Sequence, residues 1–400
     1  MKIMDIQIKN CILFVWFSVI TLFSIGQQSV FDLDKPLHQH VSESLIDGMD
    51  SLSNHIDLVF AKPDSSGQNY TYTSYGRPEY FYPASIVKLP VLLLALEWIN
   101  ESNNLSINEN TPFVFNSKFS CIPKKSNSEY PVDLTTISNC IKQILLVSDN
   151  NSYNNLFHLL GRDFIKKELK SKGFEHTQIS KSFVGCDFDE HNNLPGVSFI
   201  LNNLDTLVLR NDTTIIYEYD SVDIEQITLN KFYRKGNLTY DTLDFIDNNN
   251  LPLDEGIEML MRLIKPELFP PSKRWKITQE QREFVMKYMS IYPRESKLKK
   301  YSNYEDYPDS YKKYFMYGFL KKERINDPIR IYNIVGLACG FTIDIAYVEN
   351  QKNMDGYFIA SAMFTNENGK YSNGKTNYRK QAFPFFTKLG WSIYKDIYGS

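Results

Sequence analysis

The order of patterns along the chain predicts an α/β (α+β) fold with two lobes. One lobe is an antiparallel sheet flanked by terminal helices, and the other is mostly helical. Three observations predict this. Two strand-like runs follow a short helical pattern near the start. Three more strand-like runs, then a helix, close the chain. Between them lie several segments with apolar residues at helical spacing. The early and late strands can pair into one sheet, which brings the two ends of the chain together.

Taken in order, residues 38–55 (HQHVSESLIDGMDSLSNH) have helical spacing. IDLVFA (56–61) and QNYTYTSY (68–75) are strand candidates, joined by the turn-rich KPDSSG. A serine and a lysine then open the apolar run SIVKLPVLLLALEWIN, which predicts a helix buried on most faces. DLTTISNCIKQILLV (133–147), YNNLFHLLG (153–161) and RDFIKKELKSKG (162–173) follow as helices, with the polar break SDNNS between the first two. Residues 196–250 are strand-like and Asn-rich, and are expected to be an insert. LDEGIEMLMRLIKP (253–266) is helical, and Thr278 with Gln281 is a capping-box pattern opening another helix. IRIYNIVG (329–336), IDIAYVEN (343–350) and GYFIASAMF (356–364) are the last strands, and QAFPFFTKLGWSIYKDIY (381–398) is the closing helix. The domain division is therefore a leader over 1–26 and one domain over 27–400. Its α/β lobe takes about 38–82 and 325–400, and its helical lobe about 83–324 with the insert 196–250.

The composition is that of a globular chain: 400 residues, 42% hydrophobic, with a formal net charge of −3. That charge gives no basis for nucleic acid or an anionic membrane surface as partner. The N-terminus differs from the rest. Lys2 and Lys9 precede CILFVWFSVITLFSIG, after which the chain turns polar. A basic start, a short apolar run and small residues at Ser24 and Gly26 read as a cleaved secretory signal. The run is shorter than the ~20 residues a membrane span wants. Export to a bacterial envelope or beyond is expected, with no membrane attachment after cleavage. Beyond the leader, Cys121, Cys140, Cys186 and Cys339 form no CxxC pair, so a zinc site is not expected. Cys121–Cys140 is the nearest pair for a disulfide, and four buried thiols are the alternative. His38-Gln39-His40 has no third ligand near it in sequence, and a surface helix is the better reading of it. There is no G-x-S-x-G, H-E-x-x-H, Walker A or G-x-G-x-x-G motif.

The chemistry concentrates on two short motifs. Ser85 and Lys88 stand at i and i+3 at the mouth of an apolar helix, so both side chains share one face. Outward-pointing N–H groups and the helix dipole favour developing negative charge there. Ser85 is the candidate nucleophile, and its own N–H a candidate oxyanion donor. Lys88, desolvated inside the helix, would lose proton affinity and take the serine proton as a neutral amine. The alternative is a lysine that snorkels from an ordinary helix. The second motif is Ser148-Asp149-Asn150. A hydroxyl and an amide on an inter-helical loop can face the serine, one relaying a proton and the other binding a substrate carbonyl. The alternative is a plain N-cap.

Together, S-x-x-K followed some 60 residues on by S-D-N resembles the penicillin-recognising serine hydrolases, and class A β-lactamases most closely. The resemblance covers most of residues 45–398, with 196–250 outside it. It implies a β-lactamase/transpeptidase-like fold, an acyl-enzyme mechanism, a β-lactam or cell-wall peptide as substrate, and no cofactor or metal. A monomer is expected. In those terms Ser85, Lys88 and Ser148 are catalytic, and Asn150, Gly336 and Leu337 bind substrate, the last through its N–H at the oxyanion.

Two departures stand out. The family's Lys-Thr/Ser-Gly reads Ile334-Val335-Gly336 here, so the cation and the hydroxyl are gone while the glycine stays. Losing one charge-assisted hydrogen bond costs about 1.5–3 kcal/mol of binding. Arg330 and Tyr332 share the face of Ile334 by period two and are candidate substitutes. The family's Glu-x-x-Leu-Asn loop is also incomplete. In CDFDEHNNLPG, Glu190 stands at the right distance to be the deacylation base, but Leu-Asn does not follow at the right offset, and a solvated acidic loop is the alternative. These departures motivate a second reading, a homologue with impaired catalysis that binds cell-wall fragments or a protein partner.

Overall fold

The computed structural model describes residues 33–47, 49, 55–63, 70–76, 81–102, 106–116, 135–183, 191–201, 205–216, 232–234, 237–239, 248–320, 324–365 and 377–399. The leader 1–26, Cys121, Cys186 and Glu190 lie outside them.

The N-terminal helix α1 (Leu37–Ser44) leads into strands β1 (Asp57–Pro63) and β2 (Tyr70–Tyr75). A 3-10 turn, Ala84–Val87, runs straight into α2 (Lys88–Glu101), and the short strand β3 (Phe113–Phe115) follows. Helices α3 (Ile137–Val147), α4 (Asn150–Leu160) and α5 (Arg162–Ser171) build the helical lobe. Short strands come next: β4 (His191–Leu194), β5 (Val197–Ile200), β6 (Thr206–Arg210), β7 (Thr213–Ile216), β8 (Phe232–Arg234) and β9 (Asn237–Thr239). Helices α6 (Leu253–Ile264) and α7 (Gln279–Ser290) and the single turn α8 (Tyr314–Tyr317) lead back to the sheet. Strands β10 (Ile329–Ala338), β11 (Phe341–Asn350) and β12 (Asp355–Phe364), then helix α9 (Phe383–Tyr398), complete the chain.

The main sheet has the order β10-β11-β12-β1-β2, antiparallel throughout. The first and last strand groups therefore join in one sheet, as the sequence pattern requires. Every residue of β11 is buried, because the sheet is covered on both faces. Leu58, Phe60, Val348 and Ile359 pack with Leu37 and Val41 of α1 and Phe386 and Leu389 of α9. Ile343, Ile345, Phe358 and Ala360 pack on the other side with α2 and α6. Alternate side chains thus enter two separate cores, which is why these strands read as nearly unbroken apolar runs rather than as alternating ones. Gly256 of α6 lies tight against Ile345: a Cβ there would sit 2.6 Å from its Cδ1.

Several local expectations are met and two change. Thr278 and Gln281 form the reciprocal capping box at the start of α7. Among the described residues of 38–55 the helix is α1, which ends where Leu45 turns extended and the Ser44 hydroxyl donates to the His40 carbonyl. His40 is not on a surface helix. It is fully buried between α1 and α9, with Nδ1 2.8 Å from Ser392 Oγ and Nε2 3.2 Å from Asp396 Oδ2. The polar partners that make burial tolerable come from the far end of the chain, out of reach of local pattern reading. The Asn-rich region opens on β5, which pairs with β3 and buries Val197 and Phe199 in the helical-lobe core.

Candidate active site

Ser85 sits in the 3-10 turn ahead of α2, partly exposed, and Lys88 is the first residue of α2. The turn is strained at its entry: Ala84 has φ +47°, a left-handed conformation that costs a non-glycine residue about 1–3 kcal/mol. It is held by strand β10. A Cβ on Gly336 would lie 2.6 Å from the Pro83 carbonyl oxygen and 3.3 Å from the Ala84 Cβ. Glycine at 336 is what lets the strand pass against the serine-bearing turn. Leu337 follows it near the end of β10, with its side chain 37% exposed.

Lys88 has no solvent exposure, so it does not snorkel. Its side-chain nitrogen lies 2.6 Å from the Ser148 carbonyl, 3.1 Å from Ser148 Oγ and 2.7 Å from Asn150 Oδ1. The Phe183 ring faces it at 5.1 Å. Residues 88, 148 and 150 are therefore brought together across some 60 positions of sequence. Burial pushes the Lys88 amine down to about 7. Lys312 reinforces that shift and Asp149 opposes it. In the charged form its three N–H groups serve the Ser148 carbonyl, the Ser148 hydroxyl oxygen and Asn150 Oδ1, and loss of one proton frees a lone pair to act as a base.

The break between α3 and α4 creates this presentation. Ser148 caps α3 in the left-handed region, φ +58°. Asp149 is the N-cap of α4, its carboxylate accepting from Ser152 N at 2.7 Å. The N-cap reading of the S-D-N motif thus holds for its middle residue, while the outer two turn toward Lys88.

The remaining candidates divide. Ile334 and Val335 are buried, on opposite faces of β10. Arg330 and Tyr332 are committed elsewhere. Arg330 forms a bidentate pair with Glu295 at 2.9 and 3.0 Å, and the Tyr332 hydroxyl donates to Glu349. Neither stands in for the missing cation. Cys140 is a buried free thiol.

Among the described residues, three more join the site without belonging to either motif. Asn154, one turn beyond Asn150 on α4, accepts from Phe183 N at 2.7 Å and donates to the Phe183 carbonyl, clamping that loop over Lys88. Its i+4 spacing from Asn150 is the one signal in the sequence that points to it. Phe183 itself and Lys312 have no local signal.

Residues 52–207 match the family model described as the beta-lactamase enzyme family. The matched stretch, under half of the chain, carries both motifs. Solved structures agree on the fold. A β-lactamase from Desulfarculus baarsii is 11% identical with a TM-score of 0.50, the alignment covering 89% of this chain and 96% of that one. A penicillin G acyl-enzyme complex of a PBP-A variant is also 11% identical with a TM-score of 0.50, covering 91% and 99%. No curated protein matches the sequence. The fold is thus β-lactamase/transpeptidase-like, with a five-stranded antiparallel sheet, terminal helices and a helical lobe.

Proposed function

We propose that this β-lactamase-like chain is an exported serine hydrolase that forms an acyl-enzyme on a β-lactam or a cell-wall peptide amide. The observation that carries the reading is the buried Lys88 amine bonded to both Ser148 and Asn150 at the mouth of the Ser85 helix. Ser85 Oγ attacks the carbonyl carbon while Lys88 accepts its proton. The N–H groups of Ser85 and Leu337 receive the oxyanion. The C–N bond then breaks, and the leaving nitrogen takes a proton from the Ser148 hydroxyl, which Lys88 resupplies. Asn150 positions the acyl amide. Water completes hydrolysis of the ester, with Glu190 the proposed base.

Lys88 must be neutral to act, so acylation falls off below about pH 7, the value to which burial lowers it. The test is to incubate the protein lacking residues 1–26 with a fluorescent penicillin and follow intact mass across pH 5–9. An adduct absent in Ser85→Ala, with a rate that rises through about pH 7, is the expected result. A persistent adduct marks a penicillin-binding enzyme, and rapid nitrocefin turnover a β-lactamase. No adduct and no hydrolysis of simple acyl esters overturns acyl transfer. Export is tested by sequencing the N-terminus of the protein recovered outside the cytoplasm, which should start close to Gln27.

One observation favours a second reading. The positions that would supply a cation and a hydroxyl for a substrate carboxylate hold buried Ile334 and Val335. In that reading the crevice binds cell-wall fragments or a protein without turnover.

A further inference from the structure

Lys312 is an enclosed lysine outside both motifs, on the segment ahead of α8. Its Nζ donates to the carbonyls of Ile144 at 3.0 Å and Leu145 at 2.7 Å, in the last turn of α3. Those carbonyls lie three and four residues before Ser148, and Ser148 N itself donates to the Ile144 carbonyl at 2.9 Å. A cation at a helix C-terminus satisfies acceptors the helix cannot. The backbone around Lys312 is itself unusual. Its φ is +64°, and its carbonyl accepts from Asn333 Nδ2 at 2.7 Å. A second lysine nitrogen is thereby fixed against the same helix end that presents Ser148 to Lys88.

We infer that Lys312 is a positioning residue for the Lys88–Ser148–Asn150 cluster. It pins the end of α3 and holds a positive charge beside Lys88 that favours the neutral amine. The inference rests on the acyl-transfer reading for its purpose, but the coupling of the two lysines stands independently of it.

Among the described residues, the charged groups acting on the pair come from three elements. Asp149 at the start of α4 faces Lys88 and opposes the effect of Lys312. Asp344 of β11 faces Lys312 and favours its charged form. Lys313 adjoins Lys312, and the Arg330–Glu295 pair reaches Lys313. Burial lowers Lys312 as well, to about 7, so the two lysines compete for protons over the same range.

The test reads the titration of Lys88 by NMR of 13C-lysine-labelled protein without substrate. Lys312→Gln keeps two N–H donors for the carbonyls and removes the charge, Lys312→Met removes both, and Lys312→Arg keeps the charge. The Lys88 midpoint should rise by about half to one pH unit in the Gln and Met variants, and stay at or below the wild-type value in Arg. A merely structural role would not order the variants by charge. A folded Lys312→Gln protein with an unmoved Lys88 midpoint overturns the inference. If the variants do not fold, the unsubstituted protein decides. Interlocked two-step curves for both lysines near neutrality support the inference, and a Lys312 that titrates near the ordinary ~10.5 with no effect on Lys88 overturns it. An absent penicillin adduct together with a shifted Lys88 refutes acyl transfer and leaves this coupling standing. An adduct together with an unmoved Lys88 does the reverse.

Discussion

Lys88 shows how one residue can be costly to the fold and useful to the chemistry. A lysine in an apolar helix loses hydration, and three oxygens only partly replace it. The same desolvation brings its proton affinity to where a base is needed. Ala84 is a second cost, a left-handed alanine one residue ahead of the candidate nucleophile. Gly336 is the quiet partner of both. Gly336→Ala would drive a methyl into the Pro83 carbonyl. The expected result is a loss of about 1–3 kcal/mol in stability, by urea midpoint. Acylation should also slow by roughly 100-fold, because β10 and the Ser85 turn are pushed apart. An unchanged acylation rate in a folded Gly336→Ala protein would show that strand and turn do not act together.

At the level of elements, α7 is the most legible piece. Its capping box is local, needing only Thr278, Gln281 and the residues between. Gln281 does more than its pattern announces, since its side chain also exchanges hydrogen bonds with Asn100 at the end of α2. Thr278→Ala should therefore cost about 1 kcal/mol, the usual value of an N-cap. Gln281→Ala should cost more, because it also deprives Asn100 of that partner. Thermal or urea unfolding ranks the two. The His-Gln-His stretch of α1 is the opposite case: His40 looks like a surface residue until Ser392 and Asp396 of α9 are placed against it.

For the whole molecule, the two cores on either side of the sheet tie α1, α9 and the helical lobe to it. Buried histidines then couple stability to pH. His158 of α4 is enclosed, and burial, with Arg162 and Arg210 adding to it, lowers it to about 4. The unfolded chain binds this proton near pH 6.5, so stability is intact above that value and is lost as pH falls toward 4. Up to about 3 kcal/mol is at stake. Denaturant midpoints measured from pH 7 to 4 should fall less steeply in His158→Gln than in the unsubstituted protein.

What the sequence determined by itself is whatever depends on near neighbours. The strand and helix periods, the cap of α7 and the two short motifs are all set by residues within a turn or two of each other. The joining of early and late strands in one sheet followed from which segments could pair. Only the tertiary structure decided which polar residues meet. Lys312 reaches the end of α3 across more than 160 positions, and Asn154 clamps Phe183 across 29 positions that include α5. It also decided that Arg330 is spoken for by Glu295. The reason is physical: desolvation and hydrogen-bond pairing are properties of an enclosed volume, and the residues that wall it in come from segments with no local trace of one another.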